Sequence, residues 1–186
     1  MKYNLTALLN AAQLGDQNAR GEMVRLVYRE LYRIASNLIR QERSNHTLQP
    51  TALVNEAYLR LFEGLPIELQ SRSQFYRIAA TQMRRILVDH ARRKNALKRG
   101  GGERIELSDV DVHRATNTLT PEELISLDLA LTEFKELYPR AGSVVELRFF
   151  CGMTESEAAQ IVEISVSTLK REWDFARVWL YRRLNA

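Results

Sequence analysis

The chain has 186 residues, 45% of them apolar, with a formal net charge of +4 and a pI near 9.4. That apolar share suffices for one medium or two small packed cores, and the positive balance favours a polyanionic partner. No run approaches the ~18 to 20 uninterrupted apolar residues of a membrane span, and the first residues lack the basic-then-apolar order of a secretory signal, so a cytoplasmic protein with no membrane partner is expected. Its one cysteine, Cys151, allows no internal disulfide, and His46, His90 and His113 have no ligand spacing relative to it, so neither metal nor cofactor is expected.

Helical periodicity dominates, and the chain reads as all-α. A first helix is predicted over residues 6–14, ended by Gly15. Asp16 then caps a long second helix whose buried stripe is Met23, Val27, Leu31, Ile34 and Leu38. A third follows Pro50, a first-turn proline, with Val54, Ala57, Tyr58, Leu61 and Phe62 on one face. A fourth is predicted over residues 73–94, with Phe75, Ala79, Met83, Ile86 and His90 inward. Short connections imply a four-helix unit over residues 1–98.

Between Ser71 and Arg104 there are ten basic residues against only Asp89 and Glu103. With Phe75 and Tyr76 interleaved, such a run suits nucleic acid, since unstacked bases rest on rings while cations follow phosphates. Phe75 is assigned to the core, and Tyr76 is left open between core and base. Arg99-Gly100-Gly101-Gly102 breaks the helix, and the polar stretch to residue 120 reads as a flexible linker. The glycines form no phosphate loop, because no Lys-Ser or Lys-Thr follows them.

A second unit is expected over residues 121–186. Pro121, Glu122 and Glu123 suit a helix start, with Leu124, Leu127, Leu131 and Phe134 continuing it to Pro139. A further segment runs over 141–150. Thr154-Glu155-Ser156-Glu157 has the form of a capping box, opening a short helix with Ala158, Ala159, Ile161 and Val162. After the turn at residues 163–165 a last helix starts near Ser167 and carries Leu169, Trp173, Ala176 and Leu180 inward. Helix, tight turn and helix make a helix-turn-helix, which places Ser167, Thr168, Lys170 and Arg171 at the end that such a helix presents to base edges.

The stretch Leu53-Val54-Asn55-Glu56-Ala57-Tyr58-Leu59-Arg60-Leu61-Phe62 resembles the polymerase-binding helix of extracytoplasmic-function (ECF) sigma factors. The run from Phe75 to Arg93, followed by Lys98-Arg99-Gly100-Gly101-Gly102, resembles the promoter-melting segment of one branch. The order of segments fits the family along nearly the whole chain. The resemblance implies a sigma domain at 1–98, a linker at 99–120 and a helix-turn-helix domain at 121–186. It implies core RNA polymerase, through its clamp coiled coil and flap, and promoter DNA as partners, with no enzymatic activity and no small-molecule substrate. Leu53, Val54, Asn55, Glu56, Tyr58 and Leu59 would bind polymerase. Tyr76, Arg77, Arg84, Arg85, Arg92 and Arg93 would serve the minus-ten element, and Ser167, Thr168, Lys170 and Arg171 the minus-thirty-five element.

In that family the polymerase helix opens with an acidic patch, whose places are held here by Gln49, Pro50, Thr51 and Ala52. Gln49-Pro50-Thr51-Ala52-Leu53-Val54 and Arg84-Arg85-Ile86-Leu87-Val88-Asp89-His90-Ala91-Arg92 resemble the branch associated with Ser/Thr protein kinases. The implied switch is phosphorylation of Thr51, or of Thr47 one turn earlier, with Arg40 and Arg43 as possible phosphate partners. The alternative reading is a free-standing helix-turn-helix regulator on duplex operators, which leaves the N-terminal unit without a role. A third, an adaptor that only docks on polymerase, leaves the basic run unexplained.

Overall fold

A computed structural model of the chain describes residues 5–39, 49–62, 71–97 and 119–185. Thr47, Arg40, Arg43, most of the expected linker and the loop preceding the fourth helix lie outside the described residues. Among the described residues the regular structure is helical throughout, as the periodicity predicts. The elements are α1 (Leu5–Gln13), α2 (Gln17–Ile39), α3 (Pro50–Phe62), α4 (Arg72–Leu97), α5 (Pro121–Leu137), α6 (Pro139–Val145), a π-helical turn (Glu146–Phe150), α7 (Glu155–Val162) and α8 (Val166–Leu184).

Local chemistry sets the boundaries. Gly15 takes φ +94° after α1, a conformation that glycine adopts without a Cβ penalty. Asp16 Oδ1 then accepts from the backbone N–H groups of Asn18 at 2.9 Å and Ala19 at 3.1 Å, opening α2. Ser71 Oγ accepts from Gln74 N–H at 3.1 Å at the head of α4. Thr120 and Glu123 close a full capping box ahead of Pro121. α5 stops at Leu137, and Pro139 sits in the first turn of α6, two residues before the expected start. The chain can fold back there because Gly142 has no side chain: a Cβ would meet Lys135 side-chain atoms at 2.8 Å.

One apolar cluster joins Leu5, Val27, Leu31, Ile34, Leu53, Val54, Leu61, Phe75 and Met83 with Leu147, Met153, Ile161 and Leu169 from the C-terminal helices. A second is built on Leu127, Leu131, Phe134, Phe150, Ala176 and Leu180. α4 lies between them, packed on α3 on one side and on α5, the π-turn and α7 on the other. Its inward residues are Phe75, Ala79, Met83 and Ile86, with His90 only half-buried.

Candidate polymerase and nucleic-acid interfaces

On α3 the 3.6-residue period divides the expected polymerase contacts. Leu53 and Val54 are completely buried and belong to the core. Asn55 and Leu59 face solvent, Leu59 at 44% exposure, while Glu56 and Tyr58 are half-buried. Asn55 Oδ1 accepts from the Tyr28 hydroxyl at 3.0 Å, and the Tyr58 ring lies 6.3 Å from Tyr28 and 4.8 Å from Phe62. Tyr28, 39% exposed on α2, thereby extends the exposed apolar face of α3. Glu56 pairs with Arg60 at 2.6 Å, which reaches across to Asp89 of α4 at 2.9 Å. Burial opposes the Arg60 charge, but the bonds to Asp89 and Glu56 prevail and raise its pKa above the ordinary guanidinium value. Thr51 is exposed in the first turn, which contains no acidic residue.

On α4 the basic run is not a free stripe. Tyr76 is buried at 3% exposure, edge-on to Phe75, and its hydroxyl donates to Glu30 at 2.9 Å. Burial, then the Glu30 carboxylate, raises the phenol pKa above its usual range. Arg84 is 7% exposed. Its Nε donates to Asp128 Oδ1 at 2.8 Å, its Nη1 to Glu146 Oε1 at 3.0 Å, and its Nη2 to the Asp128 carbonyl at 2.6 Å and to Thr132. Tyr76 and Arg84, both expected on DNA, therefore face protein in this arrangement. Arg77 is exposed but donates to the Ile161 carbonyl at 3.1 Å. Arg92 approaches Asp128 at 3.4 Å, and Arg93 approaches Glu56 at 3.9 Å. Arg85 is exposed on the rim of a cleft of about 370 Å³ that it shares with Arg77, Thr81, Lys135 and Glu146.

Packed against α2 and α4, the expected helix-turn-helix is formed. Thr154 Oγ1 accepts from Glu157 N–H at 3.3 Å while Glu157 Oε2 accepts from Thr154 N–H at 2.9 Å. Burial opposes the Glu157 charge, but the Thr154 backbone and hydroxyl donors, with Arg33 and Arg72, outweigh it and lower the carboxyl pKa. Glu163 closes α7 in the left-handed region at φ 62°, and Ser165 Oγ caps α8 by accepting from Thr168 N–H at 3.1 Å. The cap places the start of α8 at Val166, one residue before the expected position. Ser167, Lys170 and Arg171 are exposed there, with Thr168 half-buried. Lys170 lies 3.4 Å from Glu155, and Arg171 edges a cleft of about 560 Å³ with Tyr138, Arg140 and Phe175.

The family model for ECF sigma factors matches residues 2–186. The chain belongs to the ECF sigma factor family. No curated protein matches the sequence. Membership makes the chain a sigma factor in transcription initiation, with core RNA polymerase and promoter DNA as partners, in a family of non-enzymatic transcription factors. Among the described residues no helix is long and apolar enough to cross a membrane, and no group of three His, Cys, Asp or Glu side chains is placed to hold a metal ion. Cys151 is fully buried, and burial pushes its thiol pKa far up, so it stays protonated.

In this sigma factor three of the residues that sequence reasoning passed over are acidic. Asp128, Glu146 and Asp89 take up cations of α3 and α4. No local pattern marks Asp128 and Glu146, which meet Arg84 across the fold, while Asp89 also lies 4.0 Å from Arg92 one turn on. Arg148 is another: it donates to Glu155 at 3.1 Å, lies 5.1 Å from the Trp173 ring centroid, and so ties the head of α7 to α8.

Proposed function

We infer that this sigma factor engages core polymerase through the outward face of α3, reads the minus-ten element with α4 and the minus-thirty-five element with α8, and is switched on by phosphorylation of Thr51. The carrying observation is the exposed Thr51 hydroxyl in a first turn with no carboxylate. The helix dipole favours negative charge there, so a phosphate is accommodated without unwinding α3. It adds nearly two charges and three acceptor oxygens beside the exposed Asn55, Leu59 and Tyr28, at the place where the resembled family keeps carboxylates for the basic clamp. A Ser/Thr protein kinase is the implied partner, and Thr47 is the fallback site. Residues 1–98 and 121–186 act as the two functional units, joined by residues 99–120.

The test is promoter activation in cells and co-purification with core polymerase, with and without kinase treatment. Thr51→Ala should abolish activation while leaving the fold intact, and Thr51→Glu should restore only part of it, because one carboxylate lacks the phosphate's charge and geometry. Full activity of Thr51→Ala with undiminished polymerase affinity would remove the switch.

A further inference from the structure

We propose that Asp128 and Glu146 form a latch that, in the free chain, takes Arg84 out of the DNA-reading face of α4. The proposal rests on α4 being that reading helix. Arg84 spends Nε and Nη1 on two carboxylates from separate C-terminal elements, Asp128 of α5 and Glu146 of the π-turn, and Nη2 on the Asp128 carbonyl and the Thr132 hydroxyl. A guanidinium offers the same planar donors to a carboxylate and to a phosphate, so one partner excludes the other. Asp128 also draws Arg92, at 3.4 Å, and Arg77 is held by the Ile161 carbonyl of α7. Three cations of the basic run thus turn towards the C-terminal half.

The π-helical turn is part of the device. Its wider winding begins at Glu146, and such turns gather at functional positions. Glu146, 2% exposed, receives Arg84, Lys135 and the Thr81 hydroxyl at 3.2 Å, so the carboxylate is preorganised for the incoming guanidinium. The contact is ionic where an apolar one would hold as well. A buried ion pair gains little over well-packed hydrophobic residues, because desolvation offsets much of the Coulomb attraction. What it adds is exchangeability, since a polyanion can replace the two carboxylates with phosphates at small net cost, and an apolar seam could not be opened that way.

The experiment measures binding of a labelled promoter duplex by the full chain without polymerase, for Asp128→Asn, Asp128→Ala and Asp128→Arg. Glu133→Ala and Glu133→Arg make matched charge changes on the same helix but touch Arg183 instead of Arg84. If the latch leaves roughly one chain in ten open, its release tightens binding about tenfold. The Asp128 variants should gain that factor over their Glu133 counterparts, and adding Arg84→Ala to Asp128→Ala should cancel it. Asp128→Asn keeps the side-chain shape, and a thermal melt verifies folding of every variant. Equal affinities for the Asp128 and Glu133 series would overturn the latch, as would a gain that survives Arg84→Ala. The Thr51 switch stands or falls separately, on polymerase co-purification, in which Asp128 has no part.

Discussion

The two long helices assigned to DNA, α4 and α8, are both rich in cations and are embedded very differently. α4 buries Phe75, Tyr76, Ala79, Ala80, Met83, Arg84, Ile86, Val88 and Ala91, whereas α8 buries only Leu169, Ala176 and Leu180. α4 is gripped from two sides, so part of its charge is already answered by Asp128, Glu146 and Glu56. α8 keeps Lys170, Arg171, Arg177, Arg182 and Arg183 at the surface, with Lys170 meeting Glu155 and Arg183 meeting Glu133. A cation count along a helix therefore measures its capacity for nucleic acid, and the neighbours determine how much of that capacity is open.

The largest effect expected from this contrast is on stability. Met83→Ala on α4 removes a completely buried side chain and should cost about 2 to 5 kcal/mol, while Val178→Ala on α8, where the residue is 53% exposed, should stay within about 0.5 kcal/mol. Urea unfolding of the two variants checks this, and similar losses would show that α8 is embedded as deeply as α4.

Next in size is promoter affinity. Arg171→Ala, and to a lesser degree Lys170→Ala, should weaken binding of the upstream element by the holoenzyme by on the order of 1 to 3 kcal/mol, without changing core-polymerase binding. Lys170 should count for less because Glu155 already pairs with it. Unchanged transcription across a panel of mutated minus-thirty-five sequences would reduce both to surface charge.

The smallest effect concerns the cap that positions α8. Thr154→Ala should cost about 1 kcal/mol by removing the hydroxyl that satisfies Glu157 N–H. The Glu157 carboxyl has its pKa lowered in the folded state, so its contribution is fully present above the unfolded value, about 4.3, and disappears as pH falls through the lower folded one. Acid titration of stability should therefore show a component below pH ~4 that is absent from Glu157→Gln.

What the sequence determined by itself is local or periodic. The glycine stop after α1, the Asp16 cap, the Thr154–Glu157 box and the inward residues of α3, α4 and α8 follow from spacings of three and four residues, which fix helix faces whatever packs on them. The candidate α8 face was readable on that basis, as was the place of Thr51 in the first turn of α3. Tertiary structure decided which outward residues stay outward. Arg84 sits off the apolar stripe of α4, yet it is buried because α5 and the π-turn close over it with carboxylates 44 and 62 residues away. Tyr76 was open between core and base until Glu30 of α2, 46 residues earlier, supplied its acceptor. Even the π-turn resists sequence reading, because i→i+5 winding has no residue pattern of its own and becomes worthwhile only when it delivers Glu146 to partners on other helices.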